Sequence, residues 1–222
     1  IQQPANYHPS EFACACAHSD PISDKDPTLD CDKMISYGKL PNDKYMINWP
    51  NCGNDYYLNI VEMNPEERAL ALEDAKQATL RFTYYIQHEL GYKHLGISED
   101  EYPTEDNLPM IPYHRESRRY VGLVDFTLPY VRTPYDAPNP FYRTGIAVGD
   151  YTIDHHHKKN LDAPAIDFIK IRVPSYNVPL GALIPKDHPA LILAEKSISV
   201  SNIVNGASRL QPVVLGIGHS AG

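Results

Sequence analysis

The sequence predicts a mixed α/β (α+β) fold, and three observations lead there. Residues 65–90 carry one clear helical periodicity. Several short apolar runs elsewhere suit strands. Twenty prolines in 222 residues interrupt the rest, and proline fixes φ and donates no backbone hydrogen bond, so many irregular segments and fixed turns are expected. No Gly-x-Gly-x-x-Gly turn between a strand and a helix occurs, so a Rossmann βαβ unit is absent from these residues.

Taken in order, residues 1–60 read as irregular, punctuated by Asp20-Pro21, Asp26-Pro27 and Asn51-Cys52-Gly53-Asn54. The opening Ile1-Gln2-Gln3-Pro4 has no initiator Met, basic region or apolar region. The expectation is that Ile1 is not the start of the gene product; removal of a signal peptide gives the same appearance. Cys14-Ala15-Cys16-Ala17-His18 invites a metal reading, but zinc sites usually pair cysteines at wider gaps with a second pair downstream. Unligated or disulfide-bonded cysteines in a loop are the favoured expectation.

The helix at 65–90 has its own signals. Asn64 is placed to cap it, Pro65 occupies the first helical position, and Glu66 and Glu67 oppose the positive end of the dipole. Leu72, Ala75, Thr79, Phe82 and Ile86 fall on one face, and Gly91 is a stop. Arg115 to Gly122 reads as a short helix or turn. Gly145 to Tyr151 and Asp167 to Val173 read as strands, Pro174 to Pro185 as a strand broken by Pro179 and Gly181, and Leu191 to Ala194 as a short buried strand. A Ser/Asn/Gly-rich loop follows, then a helix from about Gln211.

Bulk properties narrow the function. The net charge of −8 argues against a nucleic-acid surface, which needs clustered Lys and Arg. No apolar run reaches the roughly 18 residues of a membrane span. Sixteen tyrosines suit partly wet clefts, because the ring is apolar and its tip polar.

The strongest signal lies in the last thirty residues. An apolar run empties into a polar, glycine-containing stretch, and Pro212 opens a helix rich in small residues: Gly216, Gly218, Ser220, Ala221 and Gly222. Glycine costs about 1 kcal/mol against alanine inside a helix, so its repetition points to close backbone approach by a neighbour or ligand. This segment resembles the C-terminal FAD-binding motif of the FAD-dependent oxidoreductase family, some bacterial members of which are labelled putative xanthan lyase. Ala194, Ser199, Gly206, Arg209, Gln211, Pro212, Gly218, Ala221 and Gly222 match that motif without a gap. Glu195 and Lys196 replace the usual Gly-Arg, and His219 and Ser220 replace Gln-Ala. Upstream, the stretch from Tyr113 to Gly122 is similar to the family's Arg-Glu-x-Arg-Arg segment, Ala147 to His156 to its strand ending in Asp-x-His, and Val178 to Pro185 to the segment before the FAD motif.

The resemblance implies a substrate-side region over 1–190 and the C-terminal piece of a FAD-binding domain over 191–222. It implies FAD as cofactor, with Lys196, Ser199, Asn205, Gly206, Arg209, Pro212 and Gly218 beside it. It also implies an N-terminal dinucleotide-binding segment as partner, so that this chain alone would not retain FAD and would tend to self-associate. His155 or His156 would serve as a base or hydrogen-bond donor near the flavin, with Asp154 orienting one; surface and turn histidines are the alternative. Three consecutive histidines on an extended chain alternate faces, which argues against a shared metal ion. Tyr113, Arg115, Asn48 and Trp49 are substrate-side candidates, set against a salt-bridge network through Arg115, Glu116, Arg118 and Arg119 and simple packing of the one Trp. The expected reaction is hydride transfer from a small or carbohydrate-like substrate to FAD. A polysaccharide lyase and a non-catalytic carbohydrate-binding module are the alternatives. The sequence assigns no compartment.

Overall fold

The computed structural model describes residues 1–18, 28–47, 52–116, 118–137, 139–154, 171 and 173–222. The chain forms two compact units. The first contains 1–112, and the second contains, among the described residues, 113–154 and 171–222. Helices exceed strands throughout, and each of the two sheets among the described residues has two strands.

In the first unit, β1 (Ala17–His18) pairs antiparallel with β2 (Thr28–Leu29), and α1 (Cys31–Ser36) follows. Residues 1–60 are therefore not wholly irregular. Asp30 starts α1 by accepting a hydrogen bond from the Lys33 amide at 2.8 Å. Disulfides join Cys14 to Cys52 and Cys16 to Cys31, which settles the cysteines as structural. Cross-links of this kind restrict the unfolded chain, and they suit a core this small.

α2 (Pro65–His88) is the longest element. Asn64 and Glu67 form a reciprocal capping box: the Asn64 side chain accepts from the Glu67 amide at 2.9 Å, and Glu67 accepts from the Asn64 amide at 3.0 Å. The helix ends two residues before the expected boundary, where Gly91 adopts φ +82° and the Tyr92 amide reaches back to Ile86 O. Its buried stripe is Ala78, Phe82, Ile86 and Gln87. Phe82 and Ile86 pack with Phe12, Ala15, Met34 and Ile35 to make the core of this unit.

In the second unit, β3 (Gly145–Gly149) pairs antiparallel with β4 (Tyr176–Pro179), with Ala147 opposite Val178 and Gly149 opposite Tyr176. α3 (Leu128–Arg132), α4 (Asn202–Ser208) and α5 (Gln211–Ala221) complete it. α5 lies on β3, burying Val213 and Ile217, and packs closely at one glycine: a Cβ added at Gly216 would sit 3.2 Å from the Ala147 side chain. Phe126, Tyr176, Val178, Leu183, Val204 and Ile217 form the centre of the core.

Three local expectations are corrected here. The polar stretch before Arg209 is helical: Ser201 caps α4 by accepting from the Val204 amide, and Val204 and Ala207 are fully buried. Residues 191–194 join no sheet; Leu191 and Ile192 are 41% and 49% exposed, and the Leu191 amide bonds to His188 O and the Leu193 amide to Leu183 O. Among the described residues of 115–122 no helix forms. Besides the Arg119–Glu116 bond, Arg115 O, Glu116 Oε1 and the Tyr120 amide bond to distant segments. The strand expected at Asp167 to Val173 falls mostly outside the described residues.

Candidate functional site

The site is built around α4 and the turn that enters it. Asn202 and Asn205 are three residues apart, so both amides face the same way on the helix. Both donate to one oxygen, Glu116 Oε1, at 2.7 and 3.2 Å. Arg119 Nη1 reaches the same oxygen at 3.3 Å. Asn205 also donates to Arg115 O at 3.1 Å, which satisfies an amide that is 1% exposed. At the other end of α4, Arg209 donates through Nη2 to Asp154 Oδ2 at 2.9 Å and to Asp154 O at 3.1 Å. The Asp154 amide points to Gly206 O at 3.4 Å. One carboxylate thus holds each end of the helix.

The turn before α4 is strained at one residue. Glu195 has φ +64°, the left-handed region that glycine enters without cost. Lys196 follows it. Its Nζ donates to His114 O at 2.6 Å and sits 4.8 Å from the centroid of the Tyr113 ring. No carboxylate pairs with Lys196 among the described residues. Ser199 is buried and held by its backbone, donating to Ala182 O at 2.8 Å and accepting from the Phe126 amide at 3.0 Å. The close passage of Gly122 requires glycine: a Cβ there would lie 2.8 Å from Ser199 Cβ and 2.9 Å from Gly181 O.

α5 starts without a side-chain cap at Leu210, and Gln211 and Pro212 are exposed. Its first-turn N–H groups therefore retain donor capacity. Further along, a Cβ at Gly218 would meet nothing within 4 Å. Beside this helix, the Tyr176 hydroxyl is buried with no hydrogen-bond partner. Burial pushes its phenol well above the usual tyrosine range, and the charge of Asp150 adds to the shift.

The family model described as FAD dependent oxidoreductase matches residues 1–222. The chain belongs to the FAD dependent oxidoreductase family. No curated protein and no solved structure matches it.

For a member of this family, the donor set can be tested against an anionic, phosphate-bearing cofactor. Arg209 is 6% exposed and already neutralised by Asp154, so its charge serves the scaffold. Lys196 has no carboxylate partner among the described residues, and the uncapped start of α5 adds partial positive charge in an 11-residue helix. Those two groups fit FAD. Ser199, Asn205 and Arg209 are buried, at 4%, 1% and 6% exposure. Pro212 and Gly218 are exposed on α5.

Of the substrate-side candidates, Tyr113 and Arg115 are neighbours: the Arg115 guanidinium carbon lies 6.0 Å from the Tyr113 ring centroid, and the ring is exposed. His155, His156, Asn48 and Trp49 lie outside the described residues. Sequence reasoning missed Glu116 as the acceptor that Asn202 and Asn205 share. The signal available was the spacing of Asn202 and Asn205, which puts two amides in search of a common acceptor. No group of three or more metal-ligating side chains gathers among the described residues, and no helix there is long and apolar enough to cross a membrane.

Proposed function

We propose that this chain contributes one wall of a FAD site and the adjoining substrate-facing region of an enzyme that oxidises a small or carbohydrate-like substrate. FAD, when bound, supplies a hydride acceptor for a substrate C–H bond. The chain's own residues bind and orient. Lys196 neutralises phosphate charge, the first turn of α5 offers N–H donors, and Ser199, Asn205, Gly206 and Arg209 fix the intervening backbone. Pro212 and Gly218 set the start and the open side of the helix. The observation that carries this reading is the Lys196 ammonium, which pairs with no carboxylate among the described residues, beside a turn otherwise closed by internal hydrogen bonds.

His155 or His156 takes the role of base or hydrogen-bond donor, a reading supported by their position just beyond β3 and by imidazole's titration near neutrality. Tyr113 and Arg115 of the second unit face the substrate; Asn48 and Trp49 are candidate substrate contacts on the sequence alone. A separate dinucleotide-binding segment is the partner, and exposed Leu191, Ile192 and Leu215 support an apolar contact for it or, in its absence, for self-association. The test is the visible absorption band of oxidised flavin in the purified full-length protein. Lys196→Met should weaken FAD binding about tenfold, as expected for one charge-assisted phosphate contact. A full-length protein that takes up no flavin overturns the proposal. Replacing each of His155 and His156 by Gln with full flavin reduction would remove them from the chemistry.

A further inference from the structure

Three consecutive residues, His114, Arg115 and Glu116, accept hydrogen bonds from residues some eighty to ninety positions later. His114 O receives Lys196, Arg115 O receives Asn205, and Glu116 Oε1 receives Asn202 and Asn205. A few residues on, the Tyr120 amide donates to Ser197 O at 3.2 Å. His114–Glu116 and Tyr120 are thus laced across the stretch from Glu195 to Asn205. Most of these ties use backbone oxygens, which no substitution removes. The exception is Glu116, whose single oxygen gathers two amides and the Arg119 guanidinium.

We propose that Glu116 is a positioning residue: its carboxylate fixes the start of α4 and so sets the Lys196–Ser199 turn for FAD. This rests on the flavin reading above. The acceptor is charged, so each amide bond to it is stronger than a neutral one. The side chain is 38% exposed, so its removal leaves no buried cavity. Asn202 and Arg119 then bond to water, and Asn205 keeps Arg115 O. Loss of Glu116 therefore loosens one turn without unfolding the unit. A glutamine at this position keeps the accepting oxygen and loses only the charge.

The test uses the full-length protein as wild type, Glu116→Ala and Glu116→Gln. FAD affinity, melting temperature and amide hydrogen exchange across Asn202–Ser208 are measured. The expected result for Glu116→Ala is FAD affinity weaker by about five- to tenfold and exchange in α4 faster by a similar factor, with the melting temperature nearly unchanged. Glu116→Gln should recover most of the affinity. A purely structural brace would instead lower the melting temperature and leave the affinity of the folded protein intact. That outcome, or unchanged affinity and exchange in Glu116→Ala, overturns the proposal. A wild-type protein that binds no FAD overturns the flavin reading and this role with it, and wild-type flavin content tells that case apart.

Discussion

Removing either partner of the Arg209–Asp154 pair should reveal an asymmetry set by burial. The Arg209 side chain is 6% exposed, whereas that of Asp154 is 39% exposed. If Arg209 is replaced by Met, the apolar stem is kept and the 39% exposed Asp154 carboxylate can hydrate, so the loss is about 1–2 kcal/mol, below the usual cost of breaking a buried pair. If Asp154 is replaced by Ala, a buried guanidinium remains with only the Asp154 carbonyl among the two acceptors described here. That state should cost about 3–4 kcal/mol, because the uncompensated charge stays out of water. Chemical denaturation of the three proteins reads the difference directly. The double variant should lie close to Arg209→Met, since the buried charge is gone. Arg209→Met costing as much as Asp154→Ala, or more, would refute the argument that burial of the cation decides the energetics.

Other outcomes follow from single features. The Tyr92 phenol is pushed up to about 12, first by its hydrogen bond to Asp32 and then by burial. Because the neutral phenol is favoured in the folded state, this stabilisation is complete below the ordinary value of 10.0 and is lost as pH rises towards 12; tyrosinate absorbance should show Asp32→Asn bringing the titration down, and no change would contradict the pairing. Glu195→Gly should be neutral or stabilising by up to about 1 kcal/mol, while Glu195→Val should destabilise by more than that, because φ +64° suits glycine and excludes a β-branched residue; thermal melts giving the reverse order would be decisive against it. Reduction of the disulfides, which span 38 and 15 positions, should lower stability by about 4 and 3 kcal/mol. A melting curve unaffected by reductant would show that the first unit does not depend on them.

The elements that were legible in the sequence are those whose signals are local. α2 carries its capping box, its proline and its stop glycine within its own residues, and α5 announces itself through Pro212. α4 was not legible, because Asn, Gly and Ser are poor helix formers and its stability comes from Ser201, from the burial of Val204 and Ala207, and from a carboxylate about ninety positions upstream. The reverse error occurred at 191–194, where an apolar run looks like a buried strand and only Leu193 turns inward. The ties at His114–Glu116 and Tyr120 leave no periodicity in the sequence, since they are set by the partners on 196–205. Cysteine spacing likewise does not choose among pairings. In the candidate site the motif residues were visible one by one, but the carboxylates that hold them were not.

That division has a consequence for how the two departures from the family motif are weighed. Glu195 stands where the resembling motif has glycine, yet the backbone keeps the left-handed conformation glycine would adopt. Lys196 stands where the motif has arginine, and it keeps the positive charge, with no carboxylate paired to it among the described residues. The geometry at the first position and the charge at the second are both retained, although neither side chain is. Arg209, by contrast, matches the motif and is electrically silent, because Asp154 neutralises it. The positive potential of this turn therefore rests on a substituted position rather than on the matching one. Lys196→Met removes that charge without disturbing a buried pair, so its effect on anion binding is separable from stability in a way that no substitution at Arg209 can be.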